Sequence, residues 1–298
     1  MMNPSPRAQP GGQSQVGLAG AVIDVLRDWK RIADQPGDGC MGRLAMWRTH
    51  LRLKADMLGN RSAGQARVLG FQVEHLGLGS LLHLYREIFI SRVYEMSLQG
   101  PQPSIIDCGS NIGMSILYFK ALYPQARIIG FEPHPLIYGV LRNNIERNAL
   151  ESVTVHRKAL SGEPGELSFF IQPDDPGALN MGLFAGRLSG QAITVEADLL
   201  SSYIEGDVDL LKLDIEGAEE MVLLELARAG KLRHVRHIVC EYHHHLDRAV
   251  DRLSHTLTVL EQAGFGYQIS AHSNRPAGRH AYQDVVIYAY RKDAPQPS

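Results

Sequence analysis

From Leu18 to Ala33 the apolar residues Ala21, Val22, Val25, Leu26, Trp29 and Ile32 recur at helical intervals, and Arg43 to Leu58 repeats the pattern more weakly. The spacing predicts two helices, separated by the breaker cluster Gln35-Pro-Gly-Asp-Gly39. Val68 to Val73 reads as a short strand and Leu78 to Met96 as a strongly apolar helix. Beyond Gly100-Pro-Gln-Pro103 the pattern changes. Short β-type runs at Ser104 to Cys108, Arg127 to Phe131 and Val153 to His156 now alternate with helical stretches at Gly113 to Leu122 and Pro135 to Asn148. Such alternation is expected of βαβ units and a parallel sheet. Strands at Leu167 to Ile171 and Ile193 to Glu196 flank an insertion from Gln172 to Gln191, rich in glycine and read as a lid. The alternation resumes with strand Val208 to Leu213, helix Ala218 to Ala229, strand Val235 to Tyr242 and helix Leu246 to Ala263, then closes with strands Tyr267 to Ile269 and Asp284 to Tyr290.

Three segments follow. Residues 1–17, with Pro4, Pro6, Pro10, Gly11, Gly12 and three glutamines, hold too little apolar surface to offset the entropy of ordering, so a disordered tail is expected. Residues 18–100 form a helical extension or cap, and residues 101–292 the α/β domain. With 298 residues and 44% hydrophobic composition, the chain can bury one large core. Its formal net charge of −2 provides no basic footprint for nucleic acid or an anionic membrane, so a small organic partner is expected, with homo-oligomerisation left open. Cys40, Cys108 and Cys240 have neither metal-site nor disulfide spacing, and the chain has no long apolar run or secretory leader pattern. A cytoplasmic location is expected.

In open α/β sheets ligands sit beyond the carboxyl ends of the strands, which directs attention to Asp107-Cys-Gly-Ser-Asn-Ile-Gly113. Gly109 permits a tight turn there and Gly113 a close backbone approach. A pyrophosphate would be repelled by the carboxylate of Asp107, whereas a cationic ligand suits it, and Ser110 and Asn111 break the Gly-x-Gly-x-x-Gly spacing of a nicotinamide site. S-adenosylmethionine carries both an ammonium and a sulfonium. The next strand ends in Glu132, where a carboxylate can accept bonds from two ribose hydroxyls.

These residues resemble the FkbM family of methyltransferases. The similarity is carried by Asp107 to Ser115, by Gly130-Phe-Glu-Pro-His-Pro135 with Leu141-Arg-Asn-Asn144, and by Lys158-Ala-Leu-Ser-Gly162. Asp209-Leu-Leu-Lys-Leu-Asp-Ile-Glu-Gly-Ala-Glu219 and Ile238-Val-Cys-Glu-Tyr-His243 make it specific. The resemblance implies a Rossmann-like class I methyltransferase fold with a mostly parallel seven-stranded sheet, helices on both faces and an N-terminal helical extension. It also implies methylation of a small natural product, polyketide or sugar, and cofactor contacts at Asp107, Gly109, Ser110, Asn111, Gly113, Glu132, Pro133, Ala159, Ser161 and Asp214.

A hydroxyl acceptor must lose a proton during methyl transfer, which calls for a base or a metal ion. If the strand stays extended, Lys212, Asp214 and Glu216 face one side, and the next strand brings Glu241 and His243 to the same edge. His243 is the expected general base, with Lys212, Asp214 and Glu216 as its catalytic partners. Asp214, Glu216 and Glu241 are the candidate ligands of a divalent ion such as Mg2+. Blander roles compete: Glu216 as a helix N-terminal charge, Lys212 as a salt-bridge partner. The alternative functions are a nicotinamide-dependent oxidoreductase and a noncatalytic S-adenosylmethionine-binding protein.

Overall fold

The computed structural model describes residues 18–35, 41–59, 63–172, 175, 177–178, 181–182, 191–244, 252–271 and 283–292. The tail over 1–17, most of the lid and His245 lie outside them. The sheet that organises the chain has seven strands. β3 (Ser104–Cys108), β4 (Arg127–Phe131), β5 (Val153–His156), β9 (Val208–Leu213) and β10 (Val235–His244) run parallel, and β12 (Gln283–Arg291) is antiparallel to β10 and to β11 (Phe265–Ala271). Their order across the sheet is β11-β12-β10-β9-β3-β4-β5. From β3 the chain winds outward to β4 and β5, then returns to lay β9 and β10 on the other side. The crevice at the β3/β9 switch point is where such sheets bind ligands.

Alternate residues of the strands feed two cores. Ile105 and Leu210 join one face with α4 (Met114–Leu122) and α5 (Pro135–Arg147), while Ile106, Leu211 and Cys240 join the other with α6 (Glu219–Arg228) and α7 (Leu253–Gln262). Both cysteines among the described residues, Cys108 and Cys240, are buried free thiols. Between β5 and β9 the chain makes a three-stranded sheet, β6 (Ala159–Leu160), β8 (Gln191–Asp198) and β7 (Gly165–Ile171) in that spatial order.

The N-terminal helices α1 (Leu18–Ala33) and α2 (Arg43–Gly59) place Ile32, Met46 and Leu53 in the same hydrophobic cluster as Ile105 and Leu210, so they extend the main core. The strand expected at Val68 to Val73 is instead a hairpin, β1 (Gly64–Val68) and β2 (Phe71–His75). Leu69 and Gly70 both have positive φ, the two-residue turn whose twist suits paired strands. The long helix expected over Leu78 to Met96 is α3 (Leu78–Leu84) running into a π-helical turn, Tyr85–Ile90, where it ends. Arg92 there takes a left-handed conformation, with its guanidinium on Gln35 and Glu95, and the chain turns so that Tyr94 points into the molecule. A π-turn of this kind is a common accompaniment of a functional site.

A buried charge group ties α1 and α2 to that turn. Arg86 reaches Asp28 through Nε at 2.8 Å and Nη2 at 3.0 Å, and His50 lies 3.4 Å from the same carboxylate. Burial pushes the His50 imidazole down to about 4 against the attraction of Asp28, so it is neutral at pH 7. Asp28→Ala would leave Arg86 without its partner, and a loss of about 3 kcal/mol is expected, read as a lower denaturant midpoint at unchanged slope.

Candidate active site

The turn after β3 is shaped by what lies beneath it. Gly109 has φ +83°, and a Cβ placed there would sit 1.8 Å from the carbonyl oxygen of Asp214, so only glycine lets β3 and β9 deliver their ends together. The amides of Gly109 and Ser110 donate to the Phe131 carbonyl, and the Ser110 hydroxyl donates to that of Asp107. Asn111 follows with φ 48° and directs its amide at Glu132 Oε2, 3.0 Å away. The other oxygen, Oε1, accepts the His134 amide at 2.9 Å. Burial pushes the Glu132 carboxyl up to about 7, opposed by those two amides and by Lys212, with Asp107 adding to the rise.

One cavity of about 400 Å³ opens over this turn. Its lining includes Gly109, Ser110, Asn111, Glu132, Pro133 and Ala159 from the turn and its surroundings, and Tyr94, Asp214, Glu216, Glu241 and His243 from the neighbouring elements. Three residues expected at the cofactor do not line it. Asp107 is fully buried under the turn, where Oδ2 accepts the Ser115 hydroxyl at 2.6 Å and Oδ1 faces Lys212 at 3.2 Å; it holds the loop to α4 and does not stand in the mouth. Gly113 caps α4, and a Cβ there would meet Leu141 at 2.8 Å. The Ser161 hydroxyl turns back on the chain at Glu163.

Beside the turn, β9 stops at Leu213, so pleat alternation does not carry Glu216 to the cavity. A left-handed turn at Glu216 (φ 54°) and Gly217 (φ 108°) does so instead. Lys212 is 1% exposed, donates to the carbonyls of Cys108 and Gly109, pairs with Asp107 and Asp214 and lies 5.0 Å from the Tyr94 ring centroid. Burial works against its charge, but Asp107 and Asp214 hold the ammonium above its ordinary value. With its hydrogens so engaged, Lys212 is the tie between the two strand ends; the direct catalytic part expected of it is not what this geometry provides.

β10 presents Glu241 and His243 to the cavity and turns Tyr242 and His244 to the other side, as strand alternation requires. His243 Nδ1 lies 2.8 Å from Glu219 Oε1, while Nε2 faces Asp214 Oδ1 at 3.7 Å and Glu216 Oε2 at 3.4 Å. Burial opposes a charge on the ring, yet Glu219, Glu216 and Asp214 together hold it well above the usual imidazole range. Glu219 also accepts the amides of Ile215 and Gly217, so the helix-start role that Glu216 might have filled belongs to Glu219. Burial, with Asp214 and Glu87 nearby, pushes the Glu241 carboxyl up to about 9.

The residue that sequence reading passed over is Tyr94. It is 3% exposed and its hydroxyl donates to Asp214 Oδ2 at 2.8 Å and reaches Glu241 Oε2 at 3.4 Å. It lies 120 residues from Asp214 in an apolar stretch that reads as helix packing, and only the break at Arg92 turns it inward. Glu219 was visible in the Glu-Gly-Ala-Glu block, but nothing local marks it as the partner of His243.

A profile of the Methyltransferase FkbM domain matches residues 107–267, more than half of the chain, from the end of β3 into β11. The chain belongs to the FkbM methyltransferase family. Among its relatives is Methyltransferase 1 of Beauveria bassiana, 32% identical over 141 residues, a match covering 46% of this chain and 56% of that protein. The 31-O-demethyl-FK506 methyltransferase FkbM of Streptomyces tacrolimicus is 30% identical over 145 residues, covering 48% and 54%. The match thus spans about half the length of each. A solved structure, methyltransferase FkbM from Methylobacillus flagellatus, aligns with a TM-score of 0.46 at 18% identity, covering 91% of this chain and 60% of that one. Membership in this family sets aside the nicotinamide oxidoreductase as an alternative. Among the described residues no helix is long and apolar enough to cross a membrane.

Proposed function

We propose that this FkbM-family chain is an S-adenosylmethionine-dependent O-methyltransferase acting on a hydroxyl of a small natural product, polyketide or sugar. One observation carries the reading: a single cavity joins the Glu132 carboxylate at the cofactor turn to the Asp214, Glu216 and His243 group on the neighbouring strand ends. Each Glu132 oxygen already accepts one backbone amide, which leaves each a further lone pair for a ribose hydroxyl. Ser110, Asn111, Pro133 and Ala159 provide the surrounding wall, and the Asp214 carboxylate in the same lining suits a cationic cofactor. The relative whose name places its methyl on an oxygen of demethyl-FK506 supports an oxygen acceptor.

The bound cofactor supplies an electrophilic methyl. Displacement at that methyl would form the C–O bond and return the C–S electron pair to sulfur, so what this chain's own residues must manage is the hydroxyl proton. His243, held by Glu219 through Nδ1 with Asp214 and Glu216 around Nε2, is the general base in its neutral form; because those carboxylates hold the ring charged above the usual imidazole range, it takes the acceptor's proton only after its own Nε2 proton has passed to one of them or to solvent. Tyr94 holds Asp214 in place.

Two measurements test the reading. Calorimetry should show S-adenosylhomocysteine binding and NAD not binding, and the reverse result would sink it. Methyl-labelled S-adenosylmethionine offered with a panel of hydroxylated metabolites should yield a labelled ether by mass spectrometry. The noncatalytic alternative predicts binding and no labelled product with any acceptor.

Glu132 adds a pH dependence. The carboxyl accepts two hydroxyls only when ionised, and burial holds its proton up to about pH 7. Affinity for S-adenosylhomocysteine should therefore be flat above about pH 7 and fall by up to about tenfold per unit below it. Calorimetry from pH 5.5 to 8.5 reads this directly, and a flat profile would remove Glu132 from the ribose.

A further inference from the structure

We infer that Asp214, Glu216 and His243 form the seat of one divalent transition-metal ion of the Mn2+ class. One ligand atom from each of the three lies within 4.8 Å of the others. Two ligands held at about 2.1 Å from one ion stand between about 3.0 Å apart at right angles and about 4.2 Å apart across it. The separations of His243 Nε2 from Glu216 Oε2, 3.4 Å, and from Asp214 Oδ1, 3.7 Å, fall inside that window without any movement.

The second observation is how the imidazole is held. Glu219 Oε1 already accepts two backbone amides and so faces His243 as an acceptor, which puts a proton on Nδ1 across the 2.8 Å contact and turns Nε2 toward the two carboxylates. Metal-bound histidines are oriented by this carboxylate–imidazole relay. Glu219 is 1% exposed, and the same oxygen accepts the amides of Ile215 and Gly217. One buried carboxylate therefore shapes both the turn that carries Asp214 and Glu216 and the ring that completes the set.

The ligand set differs from the one expected from sequence, in which Glu241 stood in place of His243. Glu241 receives the Tyr94 hydroxyl and belongs to a neighbouring group with His243 and Asp284. An imidazole in the set also changes the ion: Mg2+ favours oxygen ligands, whereas nitrogen with two carboxylates suits Mn2+ and its neighbours. The purpose of the ion rests on the methyl-transfer reading: with Nε2 on the ion His243 would no longer serve as the base, and a hydroxyl bound to the ion would lose its proton more easily instead. Its binding does not rest on that reading.

The test uses the full chain, freed of metal by a chelator and titrated with Mn2+. One equivalent should bind saturably, seen as loss of the aqueous Mn2+ resonance, with electron spin-echo modulation from a directly bound imidazole nitrogen. Mg2+ should compete at least about tenfold less well. His243→Ala should abolish the nitrogen modulation, and Glu219→Gln, which keeps all three ligands, should weaken Mn2+ by about 10- to 100-fold. Absence of saturable binding to the wild-type chain, or binding with no nitrogen signal, overturns the inference even if a variant fails to fold. S-adenosylhomocysteine calorimetry on the same samples separates the two readings. Loss of Mn2+ binding alone overturns the ion site, and loss of S-adenosylhomocysteine binding alone overturns the cofactor reading.

Discussion

A His243→Ala chain is expected to transfer methyl groups about 100- to 10,000-fold more slowly than wild type while binding S-adenosylhomocysteine within about threefold. The separation of the two effects follows from the cavity. His243 is in contact with Glu219, Asp214 and Glu216, and shares no partner with the proposed ribose clamp of Asn111, Glu132 and His134. The same loss follows whether the imidazole takes the acceptor's proton or holds the ion that acidifies it. Single-turnover measurement with methyl-labelled cofactor and an acceptor from the metabolite panel reads the rate, and calorimetry reads the binding. Unchanged turnover would remove His243 from the chemistry. A parallel fall in both quantities would show a collapsed site and no specific role.

Glu132→Gln should produce the mirror image, weakening S-adenosylhomocysteine by about 100-fold, or roughly 2.7 kcal/mol. The side chain loses two charge-assisted hydrogen bonds to the ribose, each ordinarily about 1.5–3 kcal/mol. An amide also has an NH2 where the carboxylate has its second acceptor, and that NH2 must face the amide of either Asn111 or His134. One backbone donor is therefore left without its partner beside the cofactor. Calorimetry at pH 8, where the wild-type carboxyl is ionised, gives the largest contrast. An affinity within a few-fold of wild type would mean that the nucleoside does not rest on Glu132.

Several parts of this arrangement were legible in the chain before it was folded. The hydrophobic pattern after Gly100 marks β3, α4, β4, α5 and β5 nearly residue for residue, because β3 and β4 are buried on both faces, α4 is apolar and buried almost throughout, and α5 is buried on one face. Gly109, Asn111 and Glu132 stand out because strand-end turns allow few residue types. The ends of elements were harder. The apolar run through Leu78 to Met96 has the composition of one helix, and its break depends on Arg92 finding Gln35, 57 residues away. The hairpin at Leu69 and Gly70 was hidden because its two strands together read as one short run.

The site divides along the same line. Sequence alone determined the family, the order of the sheet's elements and which strand ends carry carboxylates and imidazole, since these depend on local spacing and on residue types that few other roles require. Tertiary structure decided which of those groups face the cavity and which face each other. Asp107, conspicuous in the motif, is drawn under the turn by Ser115 and Lys212, and Lys212 is spent on carbonyls that only the β3–β9 pairing brings near. Tyr94 and Glu219 gain their parts from contacts with Asp214 and His243 across 120 and 24 residues. The reason is physical: a turn or a strand is chosen by a few neighbouring residues, but the direction of a buried polar group is chosen by whichever distant partner can satisfy it.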